Sequence, residues 1–309
     1  MTAPVRIAVT GASGFCGSHV ARAAEAAGAD VVCPGRRPGP VGEHRFWDAA
    51  RAVPDLTGTD VVVHCAAAVG DPAPGSPAET AMHAVNVEGT RRLLAAANGR
   101  TVVWVSSASV YDPRPDRRLV REDHPCGGHL NAYGRTKTAG EELALAAGAV
   151  VLRPRAVYGP GDRQLLPRLI GRVRAGTLLL PGPDVELSLT AVENLADACL
   201  AAVGWPPGAY NIADAEPYAR DTAVRQVLTA HGVPARIRHL PRPVARSAAR
   251  AAETWARRGR GRSAGPALSR YAVDQLAHSV VLDTTRARDQ GWFPRRTLAD
   301  HLADLRTAR

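Results

Sequence analysis

The sequence predicts an α/β fold, one parallel sheet covered by helices on both faces, with a smaller and mostly helical part appended. Three observations carry this expectation. Short, continuous β-branched runs alternate with longer Ala/Leu-rich stretches through the first half of the chain. Strands that are apolar on both faces belong to buried parallel sheets. A glycine-spaced turn, TGASGFCG, follows the first run and opens the first helical stretch. The 309 residues, 45% of them hydrophobic, suffice for a large core and exclude a wholly disordered chain. The expected class is a Rossmann-type doubly wound parallel sheet.

Each element follows from its local pattern. Residues 6–10 (RIAVT) form the first buried strand, and residues 15–27 a helix that Gly28 stops. Strands follow at 30–33 and 60–64 (DVVVH), then a mostly helical stretch at 76–97. Residues 101–106 (TVVWVS) are a strand, 131–147 a helix and 148–153 (GAVVLR) another strand. Beyond Pro154 the pattern loosens. Helical stretches at 164–175, 193–203 and 218–231 are divided by breaks such as LPGPD and WPPG, with a strand at 209–214 (AYNIAD). Residues 284–290 and 297–306 are helical on either side of GWFPR. Residues 1–160 with 185–213 are expected to form a nucleotide-binding domain. Residues 161–184 with 214–309 would form the substrate-binding part, with no clean linker between them.

Composition removes several classes. No uncharged apolar run reaches the ~18 residues of a membrane span. The start, MTAPVRIAVTGASG, lacks the charged, apolar and cleavage segments of a signal peptide. Five dispersed cysteines (Cys16, Cys33, Cys65, Cys126, Cys199) read as reduced thiols of a cytoplasmic protein. No histidine spacing with a third ligand suggests a metal site. The formal charge of +10 is concentrated in residues 234–270, with ten arginines and one acid, Glu253. We read this segment as a solvated Ala/Arg helix followed by a mobile loop, RRGRGRSAG. Trp255 is its one aromatic residue, too few for base stacking, so no nucleic-acid partner is expected. An anionic group on the substrate stays open.

Gly11, Gly14 and Gly17 stand three apart, between a strand and a helix, at the head of a βαβ unit. Such a turn brings backbone close to a pyrophosphate and offers it the free N–H groups of a helix start. From here the chain resembles the extended short-chain dehydrogenases/reductases (the NAD-dependent epimerase/dehydratase family), nearest in pattern to the 3β-hydroxysteroid dehydrogenase-like branch. The segments that carry the resemblance are the turn itself, with Ser13, Phe15 and Cys16; HCAA, with Ala66 and Ala67; and NVEGT, beginning at Asn86. SSASVY at 106–111, YGRTK at 133–137 and RPRAVYGPGD at 153–162, with Pro154 and Val157, complete it. The resemblance implies a dinucleotide along these segments, with Asn86 beneath the nicotinamide and Asp48 at the adenine. A surface helix-cap role competes for Asp48. For Cys16, a small apolar packing role is favoured over that of an activated thiol.

Where the resemblance places the ribose-binding acid of NAD enzymes, this chain has Gly35, followed by Arg36 and Arg37. A missing carboxylate removes repulsion, and guanidinium groups pair well with a 2′-phosphate. The sequence thus predicts NADP, with NADPH preferred over NADH, although arginine is abundant throughout.

Of the 39 lysines and arginines, one is lysine, Lys137. It stands four residues after Tyr133, on the same helix face. An ammonium beside a phenol favours the phenolate and brings its pKa toward working range, and Lys137 would also hold the nicotinamide ribose. Arginine is bulkier and does not give up a proton, so it is a poor substitute. Ser107 matches the family's carbonyl-polarising hydroxyl, with Ser106 the weaker choice. The catalytic expectation is therefore Ser107, Tyr133 and Lys137, with no metal.

The resemblance also discriminates among chemistries. Dehydratases of the family carry an Asp-Glu pair where this chain has Ala108 and Ser109. Sugar-nucleotide enzymes carry Asn where it has Ala156, and a diphosphate-clamping Arg where it offers VELSL. TAVENLADA and DTTRARDQGWFP instead follow the hydroxysteroid dehydrogenase-like pattern. The expected function is an NADP-dependent ketoreductase or alcohol dehydrogenase for a small, fairly apolar ketone or alcohol, in specialised metabolism. A sugar-nucleotide epimerase or 4-ketoreductase is the alternative, and a non-catalytic NADP-binding regulator the third. A homodimer through the helices at 82–97 and 131–147 is implied by the resemblance.

Overall fold

A computed structural model of the protein describes residues 4–114, 116–255 and 269–307. Its first half is β1 (Arg6–Thr10), α1 (Phe15–Ala26), β2 (Asp30–Gly35), β3 (Glu43–Phe46), β4 (Val61–His64), α2 (Pro77–His83), a π-helical turn (Ala84–Glu88) and α3 (Gly89–Ala97). Then follow β5 (Thr101–Val105), α4 (Ala132–Ala146), β6 (Val150–Pro154), β7 (Val157–Tyr158), α5 (Leu165–Ile170), β8 (Thr177–Pro181), β9 (Glu186–Leu187), β10 (Thr190–Ala191) and α6 (Val192–Ala201). The rest is β11 (Gly208–Ile212), β12 (Tyr218–Ala219), α7 (Arg220–Ala230), β13 (Arg236–Leu240), α8 (Arg242–Trp255), α9 (Arg270–Ala277), α10 (Thr285–Arg288) and α11 (Leu298–Thr307).

Seven strands form one parallel sheet in the order β11-β6-β5-β4-β1-β2-β3. The period of two along each strand sends alternate residues to opposite faces. Ile7, Val9, Val61, Val63, Val103, Val150 and Leu152 pack under α1 and α6. Ala8, Val62, Val102, Trp104 and Val151 face the other way, against Leu93, Ala97 and Ala144. Both faces are covered, which is why the strands read as unbroken apolar runs. This is the doubly wound class that the sequence predicts. Strand order reverses at β1, flanked by β2 and β4, and such a switch point opens a crevice beyond the carboxyl ends of the strands. The late residues Ala287 and Trp292 return to the core under α1 and α6.

Four local expectations are corrected. Strand β3 has no counterpart among the expected elements, because EHRF at the sheet edge is polar and mostly exposed. The helix expected at 164–175 ends at Ile170, and Gly171 opens a turn toward β8. Residues 236–240, inside the arginine-rich segment, are strand β13, paired in parallel with β8. Helix α8 is not solvated throughout, since Ala245 and Ala249 are fully buried against Val273 and Ala277 of α9. The expected loop RRGRGRSAG lies outside the described residues.

Candidate active site

The crevice begins at the glycine turn. Gly11 has φ +70°, and a Cβ there would come within 2.7 Å of the Ala66 backbone nitrogen. A Cβ on Gly17 would lie 2.3 Å from the Gly11 carbonyl oxygen. Both positions need glycine for the turn to close this tightly. Gly14 begins α1 with no side-chain cap and no acid in the first turn, leaving the helix-start N–H groups for an anion. Ser13 and Gly14 are exposed, and Phe15 is half-buried, edge-on to His19. These features fit a dinucleotide pyrophosphate. Burial, with Cys65 adjacent, pushes the Cys16 thiol up to about 12, so it stays protonated as a packing residue. All five cysteines are free thiols.

Beyond β2, Arg36 and Arg37 are exposed, with no hydrogen bond or ion pair among the described residues. Asp48 accepts the Ala50 N–H at 3.1 Å, and its carbonyl accepts the N–H groups of Arg51 and Ala52. It therefore caps a turn, whatever else it contacts. At the end of β4, His64 Nδ1 bonds Thr10 Oγ1 at 2.8 Å, and the ring lies near Trp47 and Trp104. Burial holds this imidazole neutral, down to about 3. Ala66 and Ala67, half-buried, line the loop that follows.

Asn86, in the π-helical turn, has its amide fully engaged. Nδ2 donates to Ala68 O and Thr136 Oγ1, each at 3.0 Å, and Oδ1 accepts the Ala68 N–H at 2.7 Å. It fastens the loop after β4 to α4. Helix α4 lies tight on this turn, since a Cβ on Gly140 would come within 2.5 Å of Asn86 O. Asn131 caps the helix by accepting the Gly134 N–H at 2.8 Å, and one turn separates Tyr133 from Lys137.

Ser107 Oγ accepts the Ser109 N–H at 3.2 Å. Its hydroxyl faces the Tyr133 phenol closely enough to favour the phenolate, but burial prevails and holds Tyr133 above the usual tyrosine range. Lys137 is 2% exposed; Nζ donates to Val105 O at 2.7 Å and sits 3.5 Å from the centroid of the Trp104 ring. Burial lowers it to about 7, against the pull of Glu141. The expected depression of Tyr133 by Lys137 is thus not realised in this geometry. The ammonium is turned to a carbonyl, and desolvation dominates the phenol. Ser106 is committed elsewhere: it donates to Glu141, which also receives the Arg153 guanidinium. Pro154 is buried at the end of β6, and Val157 is half-buried in β7. Between them Ala156 has φ +46°, a conformation that disfavours alanine.

Sequence reasoning missed Arg155, inside the RPRAVYGPGD segment, and Tyr271 on α9. Tyr271 lies close enough to act electrostatically on Tyr133 and on Arg155. Arg155 stands in a recognised motif but at a position the resemblance leaves free. Nothing in the local pattern of α9 says that it packs on the site. Among the described residues no group of three His, Cys, Asp or Glu is placed to hold a metal ion, and no helix is long and apolar enough to cross a membrane.

A glycine turn at the switch point of a doubly wound sheet, with serine, tyrosine and lysine side chains at the ends of β5 and α4, defines a dinucleotide-dependent enzyme of the short-chain dehydrogenase/reductase type. The chain belongs to the NAD dependent epimerase/dehydratase family, which residues 7–213 match. It is an NAD(P)-dependent oxidoreductase. It is 32% identical to a 2-alkyl-3-oxoalkanoate reductase of Stenotrophomonas maltophilia, over 98% of this chain and 99% of that one. It is 33% identical to a 4-hydroxy-2-methyl-3-oxo-4-farnesyl-3,4-dihydroquinoline-1-oxide ketoreductase of Stigmatella aurantiaca, over 82% of this chain and 78% of that one. In fold it is similar to a short-chain dehydrogenase/reductase superfamily protein of Agrobacterium tumefaciens with bound NAD. That match has a TM-score of 0.74 at 23% identity and covers 98% of this chain and 97% of the other.

Proposed function

We propose that this protein is an NADPH-dependent ketoreductase of a small, fairly apolar ketone. The observation that carries the reading is Ser107 facing the Tyr133 phenol, with Lys137 one helical turn further on, beside a turn shaped for a pyrophosphate. A nicotinamide bound there supplies the hydride. Tyr133 gives its proton to the carbonyl oxygen, and Ser107 donates a hydrogen bond to that same oxygen. At pH 7 the phenol is neutral, the form that gives a proton to a carbonyl oxygen. Lys137 would hold the nicotinamide ribose, and Gly11, Gly14, Phe15 and Cys16 the pyrophosphate, with Ala66, Ala67, Asn86, Pro154 and Val157 around the rest. Arg36 and Arg37, free beyond Gly35, supply the 2′-phosphate contacts and with them the preference for NADPH.

Ketone substrates are supported by the two relatives named as reductases of oxo compounds. The sugar-nucleotide reading is weaker, because Ala156 and the VELSL segment lack the polar groups that class uses. A cytoplasmic homodimer through α3 and α4 is part of the same proposal. Two measurements test it. Tyr133→Phe should keep NADPH binding while losing turnover by about 100-fold or more. Comparable kcat/KM with NADH would overturn the cofactor preference, and retained turnover in the Phe variant would overturn the role of Tyr133.

A further inference from the structure

Four arginines are buried among the described residues: Arg117, Arg153, Arg155 and Arg220. Three of them meet a carboxylate. Arg117 makes two bonds of 2.9 Å to Asp274, Arg153 binds Glu141 and Arg220 binds Asp221 at 2.8 Å. Arg155, 5% exposed, does not. Its Nη1 donates to Ser188 O at 2.8 Å, and its Nη2 to Gln275 O at 3.2 Å and Gln275 Oε1 at 3.5 Å. All of these acceptors are neutral. The nearby acid, Asp274, is committed to Arg117.

A buried cation without a counter-ion is costly to keep. Burial, with repulsion from Arg117, pulls Arg155 down to about 10, so it is still charged at neutral pH. Its guanidinium also has an unused edge. Nε is buried and has no partner among the described residues, and the Nη2 bonds beside it are the longest the group makes. Nε and Nη2 together are a fork that a carboxylate fills with two parallel bonds. The Gln275 amide, at 3.5 Å, is the weakest of the partners the group has. Arg155 follows directly on β6, at the carboxyl edge of the sheet where the crevice opens, and its partner Gln275 stands one helical turn from Tyr271 on α9. The backbone of Arg155 is pinned on both sides by Thr190, whose hydroxyl accepts its N–H at 3.1 Å and donates to its carbonyl at 3.0 Å.

We propose that Arg155 is the substrate-recognising cation of this site, and that the ketone reduced here carries a carboxylate close to the reacting carbonyl, as a 3-oxo acid does. The proposal rests on the ketoreductase reading for the reaction, but not for the binding of the anion. The test uses the full chain with NADPH. 2-Methylmalonate and its dimethyl ester, neither of them a ketone, are titrated into it by calorimetry. A 2-alkyl-3-oxo acid and its methyl ester are compared by NADPH oxidation. The dianion should bind about tenfold or more tighter than the diester, and kcat/KM should favour the acid over the ester by a similar factor. Arg155→Gln should bring both ratios close to one, chiefly through KM for the acid.

Equal binding of malonate and diester by the wild-type protein would overturn the proposal, whether or not the variant folds. So would a variant that loses acid and ester reduction by the same factor, because a mere clamp between β6 and α9 acts on both alike. A protein that binds malonate through Arg155 but reduces neither ketone would uphold the proposal and overturn the ketoreductase reading.

Discussion

Lys137 sits where two demands conflict. An ammonium fully enclosed by β5, Trp104 and α4 loses its hydration, and the Val105 carbonyl and the Trp104 ring return only part of it. Its folded pKa of about 7 lies below the ordinary lysine value of 10.5. Between those values the unfolded chain binds the extra proton, so the wild-type protein gains stability as the pH rises through that window. Lys137→Met keeps the length of the side chain and removes the charge. It should raise the melting temperature at pH 7 and abolish turnover, with the wild type closing the gap as the pH rises from about 7 toward 10. A gap that stays constant over this range would contradict the assignment. Ala156 stores strain of a simpler kind. At φ +46° its Cβ crowds the backbone, which the Asn of related sugar-nucleotide enzymes tolerates better. Ala156→Gly should stabilise the protein by about 1 kcal/mol in urea unfolding, and no gain would mean that the neighbouring β7 relaxes the strain.

At the scale of elements, the site is a matter of how closely α4 approaches the turn Ala84–Glu88. Gly140 sets that approach, because a Cβ at this position would meet Asn86 O at 2.5 Å and Trp104 Cζ2 at 3.0 Å. Gly140→Ala must push α4 outward by several tenths of an ångström, and Tyr133 and Lys137 ride on that helix. The expected result is a loss of kcat larger than the loss of NADPH affinity, together with about 1–3 kcal/mol of stability. Equal losses in both would locate the damage in the glycine turn instead. Helix α4, six of the seven strands of the sheet and the turn at Gly11 were legible in the sequence, because each rests on a local period or spacing. Edge strands β3 and β13 were not, since EHRF and RIRHL carry charges where they meet water and lack the unbroken apolar signature. Of the candidate site, Tyr133 and Lys137 could be named from their spacing, and Ser107 from the resemblance to the family. The orientation of Lys137 toward Val105, and the approach of Tyr271 and Arg155 from distant segments, depend on tertiary packing that no local pattern encodes.

For the whole molecule the question is what a charge of +10 does for a site that takes an anionic cofactor. Most of the excess lies in residues 234–270, away from the glycine turn in sequence, and charges farther than about 10 Å act only weakly at 0.1 M salt. The proposed preference for NADPH over NADH is therefore assigned to the local pair Arg36 and Arg37, with the general field adding to encounter rate. Both side chains are exposed, so each contact to a 2′-phosphate is worth about 0.5–1 kcal/mol. Two such contacts give a preference of roughly tenfold. The double variant Arg36→Ala, Arg37→Ala should lose that preference by lowering kcat/KM for NADPH while leaving NADH alone. Raising the salt concentration should weaken NADPH more than NADH in the wild type and erase the difference in the variant. A salt response that survives in the double variant would shift the discrimination from these two arginines to the field of the whole protein.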